Sequence, residues 1–109
     1  MAKYLIQASY SAEGIKGVIK DGGTGRRTAI EGAVKALGGK LESVYFAFGD
    51  SDIYGIADMP DNVSAAAFAL AAGAPGTISR LTTTVLMTVE EVDQAAKKAA
   101  GASYRAPGH

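Results

Sequence analysis

The sequence predicts a single α+β domain, and three observations predict it. Segments with a two-residue hydrophobic period alternate with segments of helical period, clusters of glycine and proline separate them, and the composition is that of a globular protein. The chain has 109 residues, 48% hydrophobic and 20% charged, which is too apolar for disorder and too short for a second core.

The elements follow in a readable order. Lys3 to Tyr10 places Tyr4, Ile6, Ala8 and Tyr10 on one face, the alternation of a strand, with Leu5 on the other. Ser11 offers a side-chain oxygen as the N-cap of a helix in which Ile15, Val18 and Ile19 share a face. The run Asp21-Gly22-Gly23-Thr24-Gly25 interrupts that helix, because a glycine in a helix interior costs about 1 kcal/mol relative to alanine. Helical period resumes with Ile30, Ala33, Val34 and Leu37, and Gly38-Gly39 ends it, so this crossover reads as two helical pieces joined by a glycine loop.

Leu41 to Phe48 reads as a second strand, with Val44, Phe46 and Phe48 on one face and Tyr45 on the other. Gly49-Asp50-Ser51-Asp52 is a turn signal and Ile53 to Met59 a third strand, so the two form a hairpin closed by Pro60. Asp61 caps the next helix, where Val63, Ala66, Ala67 and Leu70 are expected to form the core-facing stripe. Thr77 to Met87 is a fourth strand, on which Leu81 and Val85 are expected to oppose Ile78 and Leu86. Thr88-Val89-Glu90-Glu91 has the form of a capping box and opens a helix to about Ala100. Residues 1–100 thus make the domain, and 101–109 an aperiodic C-terminal arm.

The order β-α-β-β-α-β plus a last helix is the ferredoxin-like pattern, in which right-handed crossovers place the third strand between the first and second. Both crossover helices then cover one sheet face. Apolar residues on the other face, Leu5 and Tyr45 among them, call for cover by the C-terminal helix or by a second copy of the chain, and the second, giving a homo-oligomer, is the expectation.

Charge and composition exclude several function classes. Eleven basic and eleven acidic residues cancel, so the electrostatic footprint of a nucleic-acid binder is missing. There is no cysteine and one histidine, His109, which leaves no thiol chemistry, no zinc–cysteine site and no internal histidine triad. Asp50, Asp52, Asp58 and Asp61 are spread along a strand rather than around one ion, so no metal site is expected, and no cofactor. The longest apolar stretch, Val63 to Ala74, is well short of the roughly 20 residues of a membrane span, and no targeting signal is apparent, so a cytoplasmic protein is the expectation.

Two constellations carry candidate chemistry. Tyr10 ends the first strand near the start of the third, and Lys16 lies on the helix that follows. Tyr10, Lys16, Asp52 and Tyr54 are therefore candidates to converge at one end of the sheet, where a carboxylate beside a phenol could orient or deprotonate a ligand. The competing reading of Gly49-Asp50-Ser51-Asp52 is turn chemistry, in which aspartates bond their own backbone. Gly22 to Thr28 resembles an anion cradle with Arg26 and Arg27, although it lacks the phosphate-loop and dinucleotide spacings.

The chain also resembles the family of small proteins built around the GYD domain, within the dimeric α/β barrel group. The resemblance rests on Gly14-Ile15-Lys16, Gly38-Gly39-Lys40-Leu41, the hairpin from Tyr45 to Tyr54, Pro60-Asp61, Thr88-Val89-Glu90-Glu91 and the tail Tyr104-Arg105-Ala106-Pro107-Gly108. Family members commonly have Gly-x-Tyr-Asp at the hairpin; here it is Gly49-Asp50-Ser51-Asp52, with Ser51 in place of the tyrosine and the Tyr54 phenol nearby. The resemblance implies a fold more than a reaction. Related dimeric barrels include cofactor-independent monooxygenases, haem-using enzymes and isomerases, an analogy at the level of fold. Three functions stay open: a self-associating small-molecule-binding module, a cofactor-independent oxidoreductase or isomerase, and a purely structural oligomer.

Overall fold

Seven elements follow one another in the computed structural model, which describes residues 1–109: β1 (Ala2–Tyr10), α1 (Ala12–Ala36), β2 (Lys40–Phe46), β3 (Ile53–Met59), α2 (Asn62–Gly73), β4 (Ile78–Leu86) and α3 (Val89–Ala100). The strands form one sheet in the order β2-β3-β1-β4, antiparallel throughout. This is an α+β, ferredoxin-like fold with an added C-terminal helix.

The core lies between the sheet and the two crossover helices. Tyr4, Ala57 and Met59 of the sheet meet Val34 of α1 and Ala65 and Phe68 of α2, all buried. Tyr4 is 2% exposed yet keeps its phenol satisfied, donating to Asn62 Oδ1 at 2.6 Å and so tying β1 to the start of α2.

Several local expectations are corrected. The first crossover is one helical span broken at a single residue, Gly22 (φ 71°, ψ 170°), while Gly23 and Gly25 stay helical. A side chain would be strained at that φ, so the break falls where only glycine is at ease. Strand β2 ends at Phe46, because Phe48 adopts φ 55° in the hairpin loop and cannot continue the pleat. On α2 the core-facing residues are Ala65 and Phe68, whereas Val63 and Leu70 are 79% and 75% exposed. Nearly every residue of α2 is apolar, so hydrophobic period does not mark a face, and the phase is set by the ring of Phe68 finding the core.

Two bulges rephase the edge strands. One lies between Leu41 and Ser43 of β2 and the other opposite Ser9 and Tyr10, where β4 pairs Arg80 with Ser9 and Ile78 with Tyr10. Each extra residue brings two apolar side chains at odd spacing to the helix side: Leu41 with Val44, and Ile78 with Leu81. Ile78 therefore joins Leu81 and Val85 instead of opposing them. Leu86, paired with Lys3, is left on the open face.

Caps match their sequence signals. Ser11 Oγ accepts from Gly14 N at 3.2 Å, Asp61 Oδ1 accepts from Ser64 N at 2.8 Å, and Thr88 and Glu91 close a reciprocal capping box at 3.1 and 2.8 Å. Helix α3 nevertheless buries no residue and stands away from the sheet, with Val89 76% and Val92 52% exposed. The molecule measures 56 × 33 × 22 Å, and its radius of gyration is 17.2 Å. A compact domain of this length has about 13 Å. No helix is long and apolar enough to cross a membrane.

Close approach explains two of the glycine motifs. A Cβ on Gly14 would lie 2.0 Å from the Thr77 carbonyl oxygen, because α1 starts against the turn that leads into β4. Ser11 N donates to that same Thr77 oxygen at 2.9 Å and Ser11 Oγ to Gly76 O at 3.0 Å, so the helix entry is fastened there. A Cβ on Gly39 would lie 2.5 Å from both Asp58 O and Met59 Sδ. Gly14→Ala is expected to lower the urea midpoint by the equivalent of about 1–3 kcal/mol, the usual cost of overpacking. Gly17→Ala, whose new Cβ meets nothing within 4 Å in a helical position, is expected to raise stability by about 0.5–1 kcal/mol.

Two titratable groups add a pH signature. The hydrogen bond from Ser64 N holds the Asp61 carboxyl below its ordinary value. Its stabilising share is therefore present above the ordinary carboxylate range and is lost as pH falls through the lowered value. Hydrogen bonds to Glu42 and then Asp58 hold the Lys3 ammonium above its ordinary value, so its share is present at neutral pH and is lost as pH rises past the lysine range. In acid titration of thermal stability, Asp61→Asn, which keeps the cap acceptor, is expected to show a shallower decline than the parent below about pH 4.

Candidate functional site

Under the helices the sheet carries an apolar cleft. Ile6, Ala8 and Tyr10 of β1 form its floor with Ile53 and Gly55 of β3, and Val34, Ile30 and Arg26 of α1 with Phe68 and Ala72 of α2 close over it. The bulged edge strands complete the sides. The cleft is open at its mouth and encloses a cavity of about 60 Å³. Twelve of its fourteen lining residues are hydrophobic. Arg26 and Tyr10 alone bring side-chain polar atoms, the pattern of a small-molecule site in which few polar groups orient a mostly apolar ligand.

Arg26 is 29% exposed at its side chain, which places it at the rim. Its Nη1 lies 3.6 Å from Asp21 Oδ2, longer than a charge-assisted hydrogen bond. Arg27 is exposed and does not line the cleft. Of the weak anion-cradle pair, one residue thus lies in the cavity wall and the other in solvent.

The four residues predicted to converge are dispersed. Tyr10 is in the cleft. Lys16 is exposed on α1 and pairs with Glu13 at 3.5 Å, one turn away. Tyr54 opposes Gln7 and Tyr45, on the sheet face away from the helices. The Asp52 carboxylate accepts from Tyr10 N at 2.8 Å, and Asp52 N donates to Ala8 O at 2.8 Å. The Asp52 side chain therefore bonds neither its own turn nor Tyr54. It satisfies the backbone N–H at the bulged end of β1 and fastens the hairpin loop there.

The same loop holds a residue that sequence spacing did not single out as structural. Ser51, in the place of the family tyrosine, is 1% exposed, and Arg80 Nη2 lies 3.5 Å from its hydroxyl and donates to Asp50 O at 3.2 Å. Ser9 Oγ also reaches Asp50 O, at 3.4 Å. Arg80 comes from β4, far along the chain, and no local signal marked it. The other acidic candidates are similarly engaged: Asp58 pairs with Lys3 at 3.1 Å, Lys3 also pairs with Glu42, and Asp61 caps α2.

The arrangement defines a ferredoxin-like domain with one apolar cleft under its helices and a bare sheet face opposite. The GYD domain family model matches residues 4–96, and the chain belongs to that family. The match spans all four strands, α1, α2 and part of α3. A comparison with curated proteins finds no match.

Asp52→Ala is expected to cost about 1–3 kcal/mol in urea unfolding, because it leaves the part-buried Tyr10 N–H without its acceptor. Asp52→Asn, which retains an amide oxygen there, is expected to lose less than half of that.

Proposed function

We propose that this GYD-domain protein is a self-associating small-molecule-binding module. The observation that carries the reading is the cleft between the sheet and the helices, apolar except for Tyr10 and Arg26. Tyr10 is the member of the original four candidates that takes part in binding; Asp52 positions the strand end beneath it.

Self-association is supported by surface area. The chain exposes 7339 Å², and only 10 of its 109 residues are buried. A compact monomer of 11.1 kDa exposes about 5,700 Å², so the excess is about 1,600 Å². A standard interface removes about 800 Å² from each partner, so the excess is enough for a second copy to cover. The open sheet face is the surface offered. It carries Leu5 beside Ile56, and Tyr54 beside Tyr45, with Leu86 at the edge, among Gln7, Thr82 and Thr84. The Lys3, Asp58 and Glu42 charges lie toward one end of this face and Arg80 toward the other, which leaves aromatic and aliphatic side chains at its middle, as at the centre of an interface. Helix α3 supports the same reading, since a 12-residue helix with nothing against it is marginal in water.

Native mass spectrometry tests both halves. A dimer or higher oligomer is expected, and Tyr54→Lys is expected to release monomers that keep the parent's circular dichroism. A parent chain that stays monomeric at high concentration overturns self-association. For the cleft, Ala72→Trp is expected to abolish binding of small aromatic probes with the fold intact; binding that survives the plug overturns the site.

A further inference from the structure

The lining of the cleft also bears on the chemistry of what it takes. We infer that its ligand is a small apolar molecule bearing one carboxylate, anchored by Arg26 with Tyr10 as the second donor. This rests on the cleft being the binding site proposed above, and names the ligand class for it.

Arg26 is the one charged residue among the fourteen that line the cavity, and Tyr10 is the only other with a polar side-chain atom. A guanidinium carries five N–H donors and a phenol one, so both can donate to an anionic oxygen. Asp21 engages the guanidinium only loosely, at 3.6 Å from Nη1, which leaves the fork available to a planar carboxylate. The apolar walls lower the local dielectric, so a charge pair at their edge is stronger than one in open solvent.

Asp21 also sets the charge of the ligand. Its carboxylate, 44% exposed beside Arg26, offsets part of the guanidinium's charge and repels a dianion more than a monoanion, which disfavours a phosphate monoester. The enclosed part of the cleft, about 60 Å³, is smaller than the roughly 150 Å³ cavity that takes up a benzene ring, so a single ring or short chain enters from the open mouth and a lipid tail has no room. The Gly22 break lies between the first stretch of α1 and the turn that bears Arg26, so the direction in which Arg26 leaves the backbone depends on it.

Phenylacetate and 2-phenylethanol share a ring and differ in the head group, so the pair isolates the anchor. In titrations followed by NMR, the parent is expected to bind phenylacetate at least about tenfold more tightly than the alcohol, the magnitude of a hydrogen-bonded charge pair. Arg26→Met is expected to bind the two alike, with its affinity for the alcohol kept, and Arg26→Lys to retain part of the preference. Asp21→Asn is expected to tighten phenylacetate binding and leave the alcohol unchanged. Equal affinity of the parent for both probes, or a preference that survives Arg26→Met, overturns the anchor while leaving the cleft as a binding site. Failure of the parent to bind either probe overturns the cleft reading as well.

Discussion

The sheet is roofed on one side only, and most of the molecule's character follows from that. Helices α1 and α2 reach the same face of the sheet, as right-handed crossovers in this strand order require. That face gains the core around Tyr4, Val34, Met59 and Phe68. The other face receives no helix, since α3 leaves β4 at Thr88 and stands away from the sheet. The chain consequently has an apolar cleft and a bare sheet face on opposite sides of the same four strands.

Keeping the helices close requires that backbone approach backbone at two points. Gly14 lets α1 start against the Thr77 carbonyl, and Gly39 lets the chain leave α1 past Asp58 and Met59. Between these fixed ends α1 is free to bend, and it does so at Gly22. The cleft lies beneath the second stretch of the helix, where Ile30 and Val34 face the sheet and Arg26 reaches the rim. At the other end of the strands the hairpin loop is fastened by Asp52 to β1 and by Arg80 from β4. The polar residues that looked like chemistry are thus mostly the fasteners of a loop, and the polar residue that faces the cavity comes from the glycine-rich stretch.

How far the chain was legible can be seen residue by residue. The caps at Ser11, Asp61 and Thr88 were readable because each acts on backbone groups within its own first turn. The face of β1 that carries Tyr4, Ile6, Ala8 and Tyr10 was readable because half-buried strands must alternate. The face of α2 was not readable, because a helix of alanines with one Phe68 and few polar residues looks alike from every side. The edge strands were misphased because a bulge inserts its extra residue without a local signature at Glu42 or Ser79. Of the site, Tyr10 and Arg26 were named from sequence, but for unconnected reasons; nothing in either neighbourhood says that the two line one cavity.

Local chemistry along the chain settled the order of elements, their caps and turns, and the place of β3 between β1 and β2. All of these follow from backbone chemistry acting over a few residues and from the fixed hand of the crossovers. The tertiary structure alone decided the phase of α2, the two bulges, the partner of Asp52 and the separation of Lys16 and Tyr54 from the cleft. Each of those depends on which groups meet across many residues of chain, where packing volume and unpaired backbone groups choose among arrangements that local propensity leaves equal.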